Sequence, residues 1–425
     1  MRNNQLISGL DIGSDKTRLV VAQIETGSDG YKKVNVISLS EVDTEGFTKG
    51  NVSNVEYLVS TISSVLEKAE ITVGLPIENV CVGIAGDHII SKMNKGVVAI
   101  SKANNEIGED DIERAVEIVR SVAIPPNYEN LHIIPVIFNV DNQIGIKNPI
   151  GMTGVRLEVE VQAISGLSTR INNFTRAIHR TSLEMDSLVF SILSTSEAVL
   201  NKKQKELGVL LLDIGHTITK GAIFEDEEAI YTFNIPIGSS HITADLAIGL
   251  RSSIETAEIV KKKNGTLDLA SIRRTEQVDL SKYENSDKPL TAVARQRNSF
   301  SKKYINEIIE ARVDEIFSYV VKELKKSGRF GKLPAGVVLT GGGSKLPYLV
   351  EYAKDKLALP VSLGYPTGFA SSADKIYDLN YATVCGLIMW GVIDSEARKG
   401  KGIKINFNFF NIIGKIKKML KILMP

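Results

Sequence analysis

Apolar residues along this chain fall into two periods. Short unbroken or alternating apolar runs at 7–10, 19–24, 34–40 and 80–85 predict strands, while apolar positions three and four apart over 55–70 predict a helix. A Gly-Phe-Thr-Lys-Gly turn at 46–50 stands between the early strands and that helix. Strands interleaved with helices predict an α/β layer on a mixed sheet. From 86 to 160 the character changes to a helix over 110–122, opened by acidic residues, among strands at 131–140 and 156–164. That stretch reads as an inserted subdomain. Helices at 169–179 and 187–200 return the chain to the first sheet. Past a second strand block, a lysine-rich helical region begins at 242–250, passes a polar loop near 282–288 and ends in a long helix over 301–326; sheet resumes at 337.

Two of the strand pairs carry the same polar insert. Residues 7–24 (ISGLDIGSDKTRLVVAQI) and 209–224 (VLLLDIGHTITKGAIF) both run from an apolar strand through Asp-x-Gly and small polar residues into another apolar strand. One offset lays Asp11 over Asp213, Gly13 over Gly215 and Thr17 over Thr219, which predicts a duplicated β-hairpin. A glycine lets the backbone turn close to an anion, and its N–H groups with nearby hydroxyls hold phosphate oxygens. Ser14, Lys16, Thr17, Thr217 and Thr219 are therefore the phosphate-side candidates. Asp11 and Asp213 at the strand ends suit a hydrated Mg²⁺ held through water, since that ion prefers carboxylate and phosphate oxygens and keeps most of its waters.

A third site lies at 337–347 (VVLTGGGSKLP), where an apolar strand runs into Gly341, Gly342 and Gly343 and then, through Lys345, into a helix. Three glycines admit a flat ring against bare backbone and open a helix N-terminus towards an anion.

The chain end carries a separate signal. Over 407–425, Phe409, Ile412, Ile413, Ile416, Met419, Leu420 and Leu423 form one helical stripe, with Phe410 adding to the apolar side. Lys415, Lys417, Lys418, Lys421 and Asn411 take the other side, and Ile422 is the exception. The polar stretch 395–406 before it reads as a linker, and its cations add to the positive charge. An end helix whose polar face carries only cations as charges predicts an in-plane anchor on anionic lipid, with a protein-binding helix as the alternative.

Composition narrows the function classes. With 51 Lys and Arg against 50 Asp and Glu the net charge is +1, which gives no electrostatic case for nucleic acid. Cys81 and Cys385 are the only cysteines, and both sit in apolar runs, as buried thiols of a reducing compartment do. The N-terminal stretch has no long apolar region, so secretion is not expected, and no apolar run reaches membrane-spanning length.

In order, hairpin, hairpin and glycine strand resemble the phosphate-1, phosphate-2 and adenosine motifs of the superfamily of actin, heat-shock chaperone and sugar-kinase ATPases. Within it the chain resembles the FtsA family of bacterial cell-division proteins, on Ile124-Pro125, 131–135 (LHIIP), 141–158 (DNQIGIKNPIGMTGVRLE), 46–50 and 380–386 (NYATVCG). The resemblance implies an α/β, actin-like two-lobed ATPase fold. Its parts would be subdomain 1A at 1–85 and 161–205, the FtsA-type 1C at 86–160, 2A at 206–248 and 331–394, 2B at 249–330, the linker at 395–406 and the amphipathic membrane-targeting helix at 407–425.

The resemblance also implies ATP with Mg²⁺ in the cleft between the lobes. Glu258 and Lys261 would reach ribose and base, Glu197 would orient a water, and Asp213 would take a catalytic part as well. His216 stands beside the phosphates where the family loop has its second glycine, which implies binding with at most slow hydrolysis. Implied partners are a second copy in a head-to-tail filament, the C-terminal peptide of the tubulin-like FtsZ, anionic lipid, and later division proteins through 1C. Lys303 and Arg312, beside Ile305, Ile308 and Ile309 on the long helix, are the candidate contacts for the FtsZ peptide. The implied place is the cytoplasmic face of the cell membrane at the division site. A pilus-assembly ATPase or a small-molecule kinase of the same superfamily is the alternative; a kinase would need a carboxylate base aimed at an acceptor hydroxyl.

Overall fold

The computed structural model describes residues 5–26, 32–122, 125–283, 299–371 and 373–399. The first lobe opens with an antiparallel meander of β1 (Gln5–Ile12), β2 (Lys16–Thr26) and β3 (Lys32–Asp43). The turn at 46–50 is a miniature hairpin of β4 (Phe47–Thr48) and β5 (Asn51–Val52). It leads to α1 (Val55–Val73), which starts where the Asn54 side chain accepts from Tyr57 N–H and stops at Gly74, in the left-handed region that glycine adopts freely. Leu58, Ile62, Val65 and Ala69 form its buried stripe. β6 (Asn79–Ile84) then runs parallel to β1.

The insert is β7 (Ile89–Ala99), α2 (Glu109–Val122), β8 (Tyr128–Val140), β9 (Gln143–Ile146) and β10 (Arg156–Leu167), with sheet order β7-β10-β8-β9. It has its own core, in which Ile112, Val116 and Val119 of α2 pack on Val98, Phe138, Leu157 and Val159. β10 keeps its register with β7 across residue 160 and shifts by a bulge against β8 between Glu160 and Val161, so the boundary expected there falls inside a strand, and the chain passes directly into α3 (Ser168–His179). Lys147 reaches from the insert to Asp226 of the second lobe at 2.6 Å.

β11 (Glu184–Phe190), α4 (Ser191–Val199) and α5 (Lys202–Leu207) follow. The helix expected over 187–200 is thus a strand for its first four residues. Parallel pairing with β6 captures Leu188, Val189 and Phe190, and the helix begins only where that pairing ends.

The second lobe repeats the meander as β12 (Val209–Ile214), β13 (Thr219–Glu225) and β14 (Glu228–Ile235). Helices α6 (Ser239–Leu250) and α7 (Ile254–Asn264), short strands β15 (Gln277–Asp279) and β16 (Ser299–Ser301), and the long α8 (Lys302–Lys326) build its upper part. β17 (Val337–Thr340), α9 (Leu349–Leu357) and β18 (Val361–Leu363) complete the sheet β14-β13-β12-β17-β18. A 3₁₀ turn at Gly342–Lys345 stands between β17 and α9, where sequence predicted a helix directly.

The chain then crosses back. β19 (Phe369–Ala370) pairs with β3, giving the first sheet the order β11-β6-β1-β2-β3-β19. α10 (Ala382–Lys399) follows, and its Ala382, Val384, Cys385 and Ile388 belong to the first lobe's core. Two expectations are corrected here. Residues beyond about 368 do not belong to subdomain 2A, because their apolar face closes the first sheet. The linker expected from 395 begins no earlier than 400, because Ser395–Lys399 prolong α10. Among the described residues no helix is long and apolar enough to cross a membrane.

Candidate functional site

The two hairpins share one register. Asp11 lies opposite Arg18 and Ile12 opposite Thr17 in the first; Asp213 lies opposite Lys220 and Ile214 opposite Thr219 in the second. Their tips close with the same bond, Gly13 N–H to Lys16 O at 3.1 Å and Gly215 N–H to Ile218 O at 3.0 Å. A Cβ at either glycine would lie 2.8 Å from that carbonyl, so glycine is required at both for one reason.

The tips meet across a cleft of about 640 Å³, within the range of small-molecule sites. Ser14 Oγ and Thr217 Oγ1 are 2.8 Å apart, and Ser14 Oγ also accepts from Lys49 N–H. The glycine strand seats on the second tip. Gly341 has φ +84°, and a Cβ there would overlap the Asp213 carboxylate, while one at Gly343 would overlap Ile214. These glycines are therefore required by the protein's own packing before any ring arrives. Lys345 on the following turn pairs with Asp378 at 2.6 Å.

Charge at the base of the cleft is arranged in pairs. Lys220 Nζ lies 2.6 Å from Asp213 Oδ2, which Thr383 Oγ1 also approaches at 3.4 Å. Burial alone would pull the Lys220 ammonium down, but Asp213 and Asp11 outweigh it and hold the ammonium above its ordinary value. Burial pushes the Asp11 carboxyl up in spite of Lys220 and Arg18. Arg18 turns to Glu41 at 3.2 Å, where Lys375 and the Tyr381 hydroxyl also donate at 2.7 and 2.9 Å. Burial works against the Glu41 carboxylate, yet those donors hold it below the usual range.

A magnesium hydrate needs carboxylate oxygens free to accept from its waters. Lys220 takes Asp213 Oδ2, which leaves Asp213 Oδ1 and the Asp11 carboxylate as the oxygens that would accept from the waters of the magnesium expected from sequence. Among the described residues no group of three or more His, Cys, Asp or Glu side chains is assembled to hold a metal.

On the far side Glu258 and Lys261 pair at 2.6 Å, with Thr243 Oγ1 donating to Glu258 and accepting from Lys261 at 2.8 Å. Burial opposes the Glu258 charge, but Lys261 and Thr243 prevail and hold it at about 2. Lys262, largely exposed, reaches the other Glu258 oxygen at 3.1 Å. His216 is half-buried at the second tip, and burial holds its imidazole below the ordinary value, so it is neutral at pH 7. The first N–H groups of α6, at Ser239 and Ser240, donate to Gly215 O and His216 O, which ties that helix end to the loop.

Of the residues singled out from sequence, Asp11, Gly13, Ser14, Lys16, Asp213, Gly215, His216, Thr217, Glu258, Lys261, Gly341, Gly342, Gly343 and Lys345 line this cleft. Thr17 and Thr219 do not. Both are fully buried inside the hairpins, bonded to Thr44 Oγ1 and Ile237 O. Glu197 lies outside the cleft, paired with Lys205 at 2.9 Å. Arg312 has its guanidinium fork closed on Asp245 at 2.6 and 2.8 Å, with Glu315 beside it, whereas Lys303 is only 3.9 Å from Glu307 and half-exposed. The tail residues Phe409, Phe410, Ile412, Ile413, Ile416, Met419, Leu420 and Leu423 lie outside the described residues. Sequence reasoning missed Arg18, Lys220, Glu41, Lys375 and Tyr381, all of which line the cleft. Arg18 and Lys220 were within reach, since they occupy one offset of the repeat, a residue past Thr17 and Thr219.

Comparison with known proteins completes the picture. Residues 86–165 match the model of the SHS2 domain inserted in FtsA, and residues 210–386 match that of cell division protein FtsA. Cell division protein FtsA of Pseudomonas aeruginosa is 34% identical over 92% of this chain and 90% of its own length. The chain belongs to the FtsA family. Solved structures agree on the fold: a PilM-PilN type IV pilus biogenesis complex (17% identity, TM-score 0.65, 92% of this chain and 99% of that one) and MreB5 of Spiroplasma citri bound to ADP (12% identity, TM-score 0.52, 93% and 98%). The architecture is the actin-like one, with the FtsA-type insert at 1C.

Proposed function

We propose that this FtsA-family chain binds ATP in the cleft, polymerises head to tail, and tethers an FtsZ ring to the cytoplasmic face of the cell membrane at the division site, where subdomain 1C helps recruit later division proteins. One observation carries the nucleotide reading: two hairpins of identical register point their tips at each other across the cleft, 2.8 Å apart at Ser14 and Thr217. A polyphosphate lying between such tips binds both lobes at once, and its higher affinity for the closed arrangement would shift the population towards it. A closed shape that repeats by heterologous contacts forms open filaments. Turnover is slow or absent on this reading, since Glu197 is outside the cleft and His216 occupies the tip.

For membrane binding the support is the sequence of 407–425, with its apolar stripe and lysine face. For the FtsZ peptide, Lys303 is the freer of the two candidate cations, because Arg312 would first have to leave Asp245. Vesicle co-sedimentation of the full chain with anionic lipid, an FtsZ tail peptide and ATP tests the whole reading. Sedimentation that survives deletion of 407–425 sinks the anchor; calorimetry with no ATP heat sinks the nucleotide site.

A further inference from the structure

The insert lines no part of the cleft, yet it is bonded to both lobes beside it. β14 is the outer strand of the second sheet, so its outward N–H and C=O groups need partners other than a strand. Gln162 of β10, only 1% exposed, supplies them. Its amide oxygen accepts from Thr232 N–H and Ser91 Oγ at 2.9 Å and its amide nitrogen donates to Ala229 O at 2.5 Å, the orientation that satisfies both atoms. Further along β14, Asn234 Nδ2 donates to Ile89 O at the start of β7, at 3.3 Å. Lys147 and Asp226 join the same two parts at the rim. Towards the first lobe, His132 Nε2 of β8 accepts from Phe190 N–H at 2.8 Å, and its ring meets Trp390 of α10 edge-on. Each anchor stands next to the cleft wall. Phe190 precedes Ser191, which lines the cleft, and Asn234 lies opposite Lys220, which lines it too.

We propose that the insert is a brace between the lobes and that the Gln162 amide couples its position to occupancy of the cleft. The bonds to β14 belong to the arrangement in which the hairpin tips touch, because the insert continues by chain from the first lobe while β14 belongs to the second. A change in the spacing of the lobes must break those bonds or drag the insert along. A ligand that draws the tips together therefore favours the braced arrangement, and whatever holds the insert on β14 raises the affinity of the cleft by the same factor. The inference takes its ligand from the nucleotide reading and goes beyond it in giving the insert a part in binding at a cleft it does not line.

Two measurements on the full chain in magnesium chloride are the test: calorimetric titration with ATP, and hydrogen exchange read by mass spectrometry with and without ATP. In the unaltered chain ATP should slow exchange about threefold or more in β7 and β10 of the insert as well as in the hairpin of β12 and β13. Gln162→Leu keeps an apolar bulk in place and removes the amide's bonds to β14. It should bind ATP at least about fivefold more weakly and lose the protection of the insert while keeping that of the hairpin. Binding heat without any effect of ATP on exchange in β7 and β10 overturns the proposal, and so does a Gln162→Leu variant that keeps either the affinity or the insert protection of the unaltered chain. Exchange in the unaltered chain decides the matter by itself should the variant fail to fold. Absence of ATP heat in the unaltered chain removes the nucleotide reading and this inference with it, whereas heat without protection of the insert removes only the inference.

Discussion

The two hairpins are alike in register, tip bond and glycine, and they part company over a single cation. In the first, Arg18 abandons Asp11 for Glu41; in the second, Lys220 stays with Asp213. The cause lies one strand away. β3 places Glu41 directly opposite Arg18, while β14 places Asn234 opposite Lys220. A duplicated local sequence therefore fixes where a charge stands, and the third strand of each meander decides which anion it serves. The first lobe ends with Arg18 turned from Asp11 into a network around Glu41, the second with a closed ion pair.

Lys220→Met should break this contrast with the largest effect. It leaves Asp213 buried without its partner, at a cost of about 3 kcal/mol or more in a denaturant melt, while Arg18→Met should cost under ~1 kcal/mol because Glu41 keeps Lys375 and Tyr381. Equal losses would mean that the two cations serve alike.

Acid should separate the halves next. Burial lowers His132 and His88 to about 4, and His132 Nε2 accepts from Phe190 N–H at 2.8 Å where the insert meets the first lobe. The unfolded chain takes these protons first, so stability is full above the ordinary histidine value and falls as pH drops from there towards 4. Between pH 7 and 5 the unaltered chain should lose ~2 kcal/mol more than His132→Gln, read from urea midpoints. His216 is also lowered by burial, so His216→Gln should remove a smaller part of the same slope.

Glu41→Gln then sharpens the comparison from the first hairpin. It removes the shared acceptor of Arg18, Lys375 and Tyr381, and should cost about 1–2 kcal/mol while leaving the Lys220 pair intact. The smallest expected change is at the contact between tips. Ser14→Ala and Thr217→Ala should each cost about 1 kcal/mol or less, and the double variant little more than either, because they remove one bond between them.

Much of this was legible in the sequence, because it depends on local period and on the repeat. The strand periods, the change of character at 86 that opens the insert, the duplicated Asp-x-Gly tips and the glycine strand needed no distant partner to be read. What escaped depends on contacts between remote segments. Residues 187–190 carry helix-compatible composition, and only pairing with β6 makes them a strand. The small and apolar residues of α10 look like a late part of the second lobe until β19 pairs with β3. Thr17 and Thr219 are polar and sit beside the tips, so sequence aims them at phosphate; strand alternation turns both inward instead. Glu197 is a carboxylate near the second hairpin in sequence, and Lys205 holds it away from the cleft.

One feature of the fold bears on mechanics. α10 lies on the first sheet, with Ile388 and Val392 in that core and Gly391 close against Ile7, so the chain leaves the described structure from the first lobe at Lys399. A pull transmitted along the chain into Lys399 enters the described structure through that lobe. That lobe becomes the moored half, and the second lobe, with α6, α7 and α8, is held to the mooring through the contacts across the cleft. A load entering there would reach the second lobe through the contacts between lobes, that of Ser14 with Thr217 among them.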